Sequence, residues 1–158
     1  KGNLYYYFES KEALAHAVVE LTIAEQFASG PGAGDGGPAE QIVAMFRRAE
    51  RALSTGKCKG GCLFGNLALE ISDVHDGLRQ TLDQAFATWE RRVAALLTQG
   101  IRDRVLSRDL DPKATARFVV ATLEGGILLA KVTRDVGALK ACTAMVQRVL
   151  EGFQETSR

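Results

Sequence analysis

Two cysteines four positions apart, in the glycine-rich stretch STGKCKGGC, are the residues of this sequence best placed to do covalent chemistry. Cys62 stands where the loop gives way to a helical pattern. A thiol in the first turn of a helix feels the positive end of the macrodipole, and Lys57 and Lys59 add positive charge nearby. Both effects favour the nucleophilic thiolate. Cys58, in the loop, is then placed to act as a resolving thiol, so Cys58 and Cys62 are the redox candidates. Against this stands the commoner fate of an unpaired cysteine, an inert small hydrophobe, and Cys142 on a later apolar stripe is of that kind. Helical spacing from Cys62 puts Asn66 and Glu70 on one polar stripe, beside an apolar stripe of Leu63, Leu67 and Ile71. Such a polar stripe either lines a pocket or lies on the surface. Zinc would need more than the sequence offers: Cys58 and Cys62 with His75 make three ligands at most, and no second cysteine pair exists. No metal and no cofactor are expected.

Other catalytic constellations are missing. There is no Gly-Lys-Ser phosphate loop, no Gly-x-Ser-x-Gly elbow and no His-Glu-x-x-His pair. The Glu-x-x-His pairs of a di-iron bundle do not occur either. An enzyme is therefore not expected. A net charge of +1 confines any nucleic-acid contact to a local patch rather than a basic surface. Three cysteines in 158 residues do not form a disulfide scaffold, which fits the reducing cytoplasm. No apolar run reaches the length of a membrane span.

The elements that must position these residues are helical. Sustained period-two alternation is lacking, as is any Asn-Gly or Asp-Gly turn between β-branched runs, whereas steps of three and four recur throughout. Ser10 is placed to cap a helix carrying Leu14, Ala17, Val18, Leu21 and Ala24. That helix runs into SGPGAGDGGP, a stretch that cannot hold a helix. Pro38 suits a first helical turn, and Asp111-Pro112 supplies a cap and a first-position proline together. Between them lie a stripe from Ile42 to Leu53, a short helix from about Cys62 to Ser72, and a long amphipathic helix from Leu78 to Ile101. The segment from Phe118 to Ala130 is apolar almost all round, broken only by Glu124 and two glycines, and must be covered on several sides. The last helix repeats Leu139, Cys142, Val146, Val149 and Phe153. The reading is an all-α bundle of about seven helices. Its last two helices are expected to form a homodimer interface through Gly125, Gly126, Leu129, Leu139, Cys142, Val146, Val149 and Phe153, because the small residues of EGGILLA admit a second backbone; the alternative is that these helices are simply the centre of the core.

The stretch KGNLYYYFESKEAL at positions 1–14 carries the sharpest signal. It resembles the end of the helix-turn-helix in the TetR family of transcriptional regulators, where a recognition helix closes on Lys-Gly-x-Leu-Tyr-x-His-Phe and the next helix opens on Ser-Lys-Glu. Lys1, Gly2, Leu4, Tyr5, Phe8, Ser10, Lys11, Glu12 and Leu14 carry the match, and Tyr7 departs from it where the family has histidine. The resemblance implies a TetR-like helical bundle, with residues 1–9 ending the recognition helix, 10–29 a connecting helix and 38–158 the ligand-binding and dimerisation domain.

By the same resemblance, Lys1, Gly2, Tyr5 and Lys11 contact operator DNA. Chemistry adds Tyr6 as a phosphate donor and Asn3 as a reader of adenine in the major groove. Leu4 and Phe8 pin the helix to its core. Two helices precede this motif in the family and are absent from the chain as given, so operator binding is expected of a longer protein. The family's C-terminal helices hold a small-molecule effector, for which Cys62, Asn66, Glu70, Phe86, Trp89, Phe118, Thr122 and Leu123 are the candidate contacts. The expected partners are thus double-stranded operator DNA, an effector and a second copy of the chain. The function implied is a repressor released from DNA by its effector; the alternative input is thiol chemistry at Cys62.

Overall fold

The structure, a computed structural model, describes residues 7–28 and 36–154. Lys1, Gly2, Asn3, Leu4, Tyr5 and Tyr6 lie outside the described residues, as does the side chain of Lys11. The described residues form six helices: α1 (Lys11–Ala28), α2 (Pro38–Thr55), α3 (Leu63–Ile71), α4 (Asp76–Arg102), α5 (Pro112–Thr133) and α6 (Gly137–Glu151).

Local chemistry sets most of the helix starts. Ser10 Oγ accepts the Ala13 N–H at 3.0 Å, and Pro38 occupies the first turn of α2, where its missing N–H costs nothing. Asp111 Oδ1 accepts the Lys113 and Ala114 N–H groups at 2.9 and 3.2 Å, ahead of Pro112. The start of α4 is capped by His75, whose Nδ1 accepts the Leu78 N–H at 3.1 Å. Helix α5 closes on Arg134 in the left-handed region (φ 57°), and the Arg134 guanidinium donates to the Cys58 carbonyl at 2.9 Å. After α6 the chain turns back so that the Ser107 N–H donates to the Phe153 carbonyl at 2.7 Å, clamping the α4–α5 connection to the end of the bundle.

The long α4 is the axis of the bundle, flanked by α5, α2, α1 and α3, while α6 lies across α5 and α2. The main core joins Ile42, Phe46, Val93, Leu97, Val119, Leu123, Leu139 and Val146 among others. A second, smaller core holds Val19 of α1, Phe64 of α3, and Leu82 and Ala85 of α4. Phe86 and Trp89 border both, and the Phe86 ring meets Phe64 edge-on at 6.4 Å.

The α5–α6 seam removes Gly126, Leu139 and Val146 from the expected interface, while Gly125 and Leu129 are exposed and Cys142, Val149 and Phe153 half-buried. A Cβ at Gly126 would lie 2.8 Å from Leu139 Cδ1 and 3.1 Å from Cys142 Sγ. EGGILLA does admit a close neighbour, but α6 of the same chain fills the place. Leu139 and Val146 are fully buried within one protomer, and Phe153 packs on the same core. Leu139 and Val146 have no surface left to offer a partner, whereas Phe153 is half-buried. The outer faces are different: Phe118, Leu129 and Val132 on α5 and Met145 on α6 are exposed.

Candidate effector cavity

Helix α3 rests on α4 and stands off from α5, and the gap is a cavity of about 230 Å³. The α3 side contributes Gly61, Cys62, Gly65, Asn66, Ala68 and Leu69; α4 contributes Phe86; α5 contributes Glu124, Gly125, Ile127, Leu128 and Lys131. On α5, Glu124 and Lys131 are seven residues apart, two turns and about 10 Å of rise, so both face the cavity.

Small residues make the geometry possible. Gly61 has φ +88°, a left-handed conformation that favours glycine and brings the chain round to Cys62 as the α3 N-cap. At Gly65 a Cβ would run into the Glu124 carboxyl. The bare Cα there lets that carboxyl approach the helix start, where the Cys62 thiol donates a hydrogen bond to it. On the other side of the cavity, Lys131 Nζ donates to Asn66 Oδ1 at 2.8 Å, and Asn66 Nδ2 donates to the Gly60 carbonyl at 2.8 Å. A polar chain thus ties α5 to α3 and to the loop before it.

The electrostatics reverse the expected thiolate. Burial, and next the Glu124 carboxylate, push the Cys62 thiol from 9.0 up to about 12, while the Gly65 and Phe64 N–H groups of the helix start pull it down. The dipole effect on which the sequence reading rested is present, but desolvation and a like charge outweigh it. Lys57 and Lys59 are exposed and are not among the groups acting on the thiol. Cys58 is not a loop thiol open to solvent. It is buried in the main core, its N–H bonded to the Leu53 carbonyl at 2.7 Å. Burial raises the Glu124 carboxyl, partly offset by the Cys62 hydrogen bond, and Glu124 Oε1 is buried without a hydrogen-bond partner.

Of the residues singled out as effector contacts, Cys62, Asn66 and Phe86 line the cavity. The others do not. Glu70 points outward from α3, Trp89 and Thr122 are half-buried beside the cores, and Leu123 belongs to the main core. Phe118 lies exposed on the outer face of α5, because a helix with no polar face gives no hint in its sequence of which apolar residue points where. Glu124 and Lys131 were missed. The available signal was Glu124 itself, the lone charge inside an apolar helix, with Lys131 on the same face. Among the described residues no group of three or more His, Cys, Asp or Glu side chains could hold a metal ion, and no helix is long and apolar enough to cross a membrane.

Comparisons agree with this architecture. Residues 38–146 match the family of tetracyclin repressor-like C-terminal domains. The transcriptional regulator AcuR of Cereibacter sphaeroides is 32% identical over 139 residues, covering 84% of this chain and 62% of AcuR. The chain thus spans less than two thirds of that relative's length. The HTH-type transcriptional repressor NemR of Escherichia coli is 27% identical over 157 residues, covering 95% of this chain and 77% of NemR. Its crystal structure in the reduced form superposes with a TM-score of 0.80 at 25% identity, over 99% of this chain and 80% of that one. A regulatory protein TetR from Rhodobacter sphaeroides superposes with a TM-score of 0.84 at 31% identity, over 94% of this chain and 80% of that one. With its cavity between α3 and α5 and a family match over most of its length, the chain belongs to the TetR family of transcriptional regulators.

Proposed function

We propose that this chain is the sensing and dimerising part of a cytoplasmic transcriptional repressor, and that a small molecule in the α3–α5 cavity releases the protein from operator DNA. The cavity carries the reading. It joins an apolar wall to a buried carboxyl, and it is bounded by α3, which shares its core with α1. Helix α1 begins directly after the KGNLYYYF stretch, so a shift of α3 reaches the DNA-contacting residues through one packed cluster. Dimeric helix-turn-helix proteins hold their two recognition helices about 34–36 Å apart. An effector that favours another spacing weakens DNA binding by its differential affinity, typically about 1–3 kcal/mol. No catalytic step is needed.

The second copy of the chain docks on the outer faces of α5 and α6. Phe118, Leu129 and Val132 stand at helical spacing on α5 and are exposed, as is Met145 on α6, and an apolar stripe of that kind marks an interface. Gel retardation of upstream DNA by the full-length protein tests the proposal. Binding should fall steeply with salt and should be relieved by the effector. Absence of binding at low salt would refute it. Thiol chemistry at Cys62 is the second reading, favoured by the position of Cys62 in the cavity wall and by similarity to a repressor crystallised in a reduced form. The elevated thiol weighs against it.

A further inference from the structure

The polar groups of the cavity can be accounted for one by one. Asn66 uses both ends of its amide, accepting from Lys131 and donating to the Gly60 carbonyl. The Cys62 thiol donates a hydrogen bond to the Glu124 carboxyl. Apart from the two further N–H donors of the half-buried Lys131, what remains is an acceptor, Glu124 Oε1, buried and without a partner. Beside it the wall is apolar: Phe86, Ile127, Leu128, Ala68 and Leu69. A buried acceptor left unmet costs about 1–3 kcal/mol, more when charged. The Glu side chain's last torsion is broad and roughly two-fold, so either oxygen can turn to the cavity without leaving a rotamer well. A single water is a poor answer, because a buried water needs two to four polar partners, and one unmet acceptor is on offer.

On the reading that this cavity is the effector site, we propose that its effector is a small neutral molecule with a hydroxyl head and an apolar body, the hydroxyl donating to Glu124. Size follows from the volume: an apolar cavity of about 150 Å³ holds benzene, so about 230 Å³ has room for roughly nine heavy atoms. Charge follows from the lining. An ammonium head would lose its hydration in an apolar cavity whose other charged residue, Lys131, has the same sign. A carboxylate head would gain Lys131 as a counter-ion, but it would meet Glu124 as a like charge and leave Oε1 unmet.

Two isomers separate the hydroxyl from the apolar body, 1-hexanol and 1-methoxypentane, with hexanoate as a third probe. Each is titrated into the wild-type chain and into Glu124→Leu, followed by heteronuclear NMR, with thermal unfolding to show that the variant folds. In the wild type the alcohol should bind about tenfold or more tighter than its ether isomer, as expected for a hydrogen bond to a carboxylate. In Glu124→Leu that ratio should fall to about one while the ether still binds. Equal binding of the two isomers to the wild type, an unchanged ratio in the variant, or a preference for hexanoate would overturn the hydroxyl assignment and leave the cavity standing. If no probe perturbs the cavity residues of the wild type, the effector-site reading itself fails and the assignment falls with it.

Discussion

Cys62 provides the most direct test of the site. The wall of the cavity lifts its thiol from 9.0 to about 12. At pH 8, three units cut the thiolate fraction about a thousandfold relative to an ordinary cysteine. A more basic thiolate is also a better nucleophile, and with a Brønsted coefficient of about 0.4–0.5 the same three units return about 15–30-fold. The net expectation is that Cys62 reacts about 30–60-fold more slowly than the same cysteine in the unfolded chain.

The assay is reaction with a small neutral disulfide, 2-hydroxyethyl disulfide, with the labelled peptides resolved by mass spectrometry in folded and denatured protein. Slow reaction alone could reflect poor access, so the pH profile decides. An ordinary thiol levels off above pH 9, whereas Cys62 should go on gaining about tenfold per pH unit up to pH 10.5. Glu124→Gln, which removes the like charge but not the burial, should shift that profile to lower pH without restoring an ordinary one. Labelling of folded Cys62 within threefold of the unfolded rate, or a plateau below pH 9, would refute the reasoning and revive the thiolate sensor.

Four further outcomes follow from the same structure. Because burial raises the Glu124 carboxyl, the folded chain keeps a proton that the unfolded chain has lost. Stability should therefore decline as pH rises from the ordinary carboxylate value through the raised one, and Glu124→Gln should abolish that decline in a Tm-versus-pH series. Gly125→Ala meets nothing within 4 Å, whereas at Gly126 the added methyl meets Leu139 and Cys142. By denaturant titration the first should be neutral or stabilising by up to about 1 kcal/mol and the second destabilising by about 1–3 kcal/mol. Leu129→Asp, on the exposed face of α5, should convert the dimer to a monomer in sedimentation with its helical circular dichroism unchanged. Asp111→Ala removes two capping hydrogen bonds and should cost about 1 kcal/mol of stability.

The parts of the fold legible in the sequence were those written in local chemistry. Ser10, Pro38 and Asp111-Pro112 mark helix starts because their roles depend on neighbours within four residues. The amphipathic stripe of α4 likewise named its buried face through Leu78, Leu82, Val93 and Leu97. The seam of α6 was equally visible as a seam, but nothing local says whether its partner is α5 of the same chain or a second protomer. Gly126 shows the ambiguity well, since a close approach leaves the same small-residue signature in both cases. The cavity was half legible. Cys62 and Asn66 stood out as polar residues on a short helix, whereas Glu124 read as an interruption in an apolar run. Its meaning depends on Gly65, 59 positions earlier, whose lack of a side chain brings carboxyl and thiol together. The balance of burial, carboxylate and helix dipole on the thiol is a three-dimensional sum that residue types alone do not supply.

The arrangement of the two cores says where a ligand's effect can go. Helix α4 is held in the main core through Val93 and Leu97, which are fully buried, and close-packed interiors resist displacement. Helix α5 is anchored the same way through Val119 and Leu123. Helix α3 is nine residues long and buries a single side chain fully, Phe64. Its ties to α5 are the Lys131–Asn66 hydrogen bond and the Cys62–Glu124 pair. An occupant of the cavity that engages the unpartnered Glu124 Oε1 leaves the Cys62 hydrogen bond in place and presses on the least anchored wall. The side chain that must then adjust, Phe64, is packed in the same small core as Val19 of α1. In the proposed repressor the signal therefore needs no movement of α4 or α5, only a displacement of α3 passed to α1 through the Phe64–Val19 core.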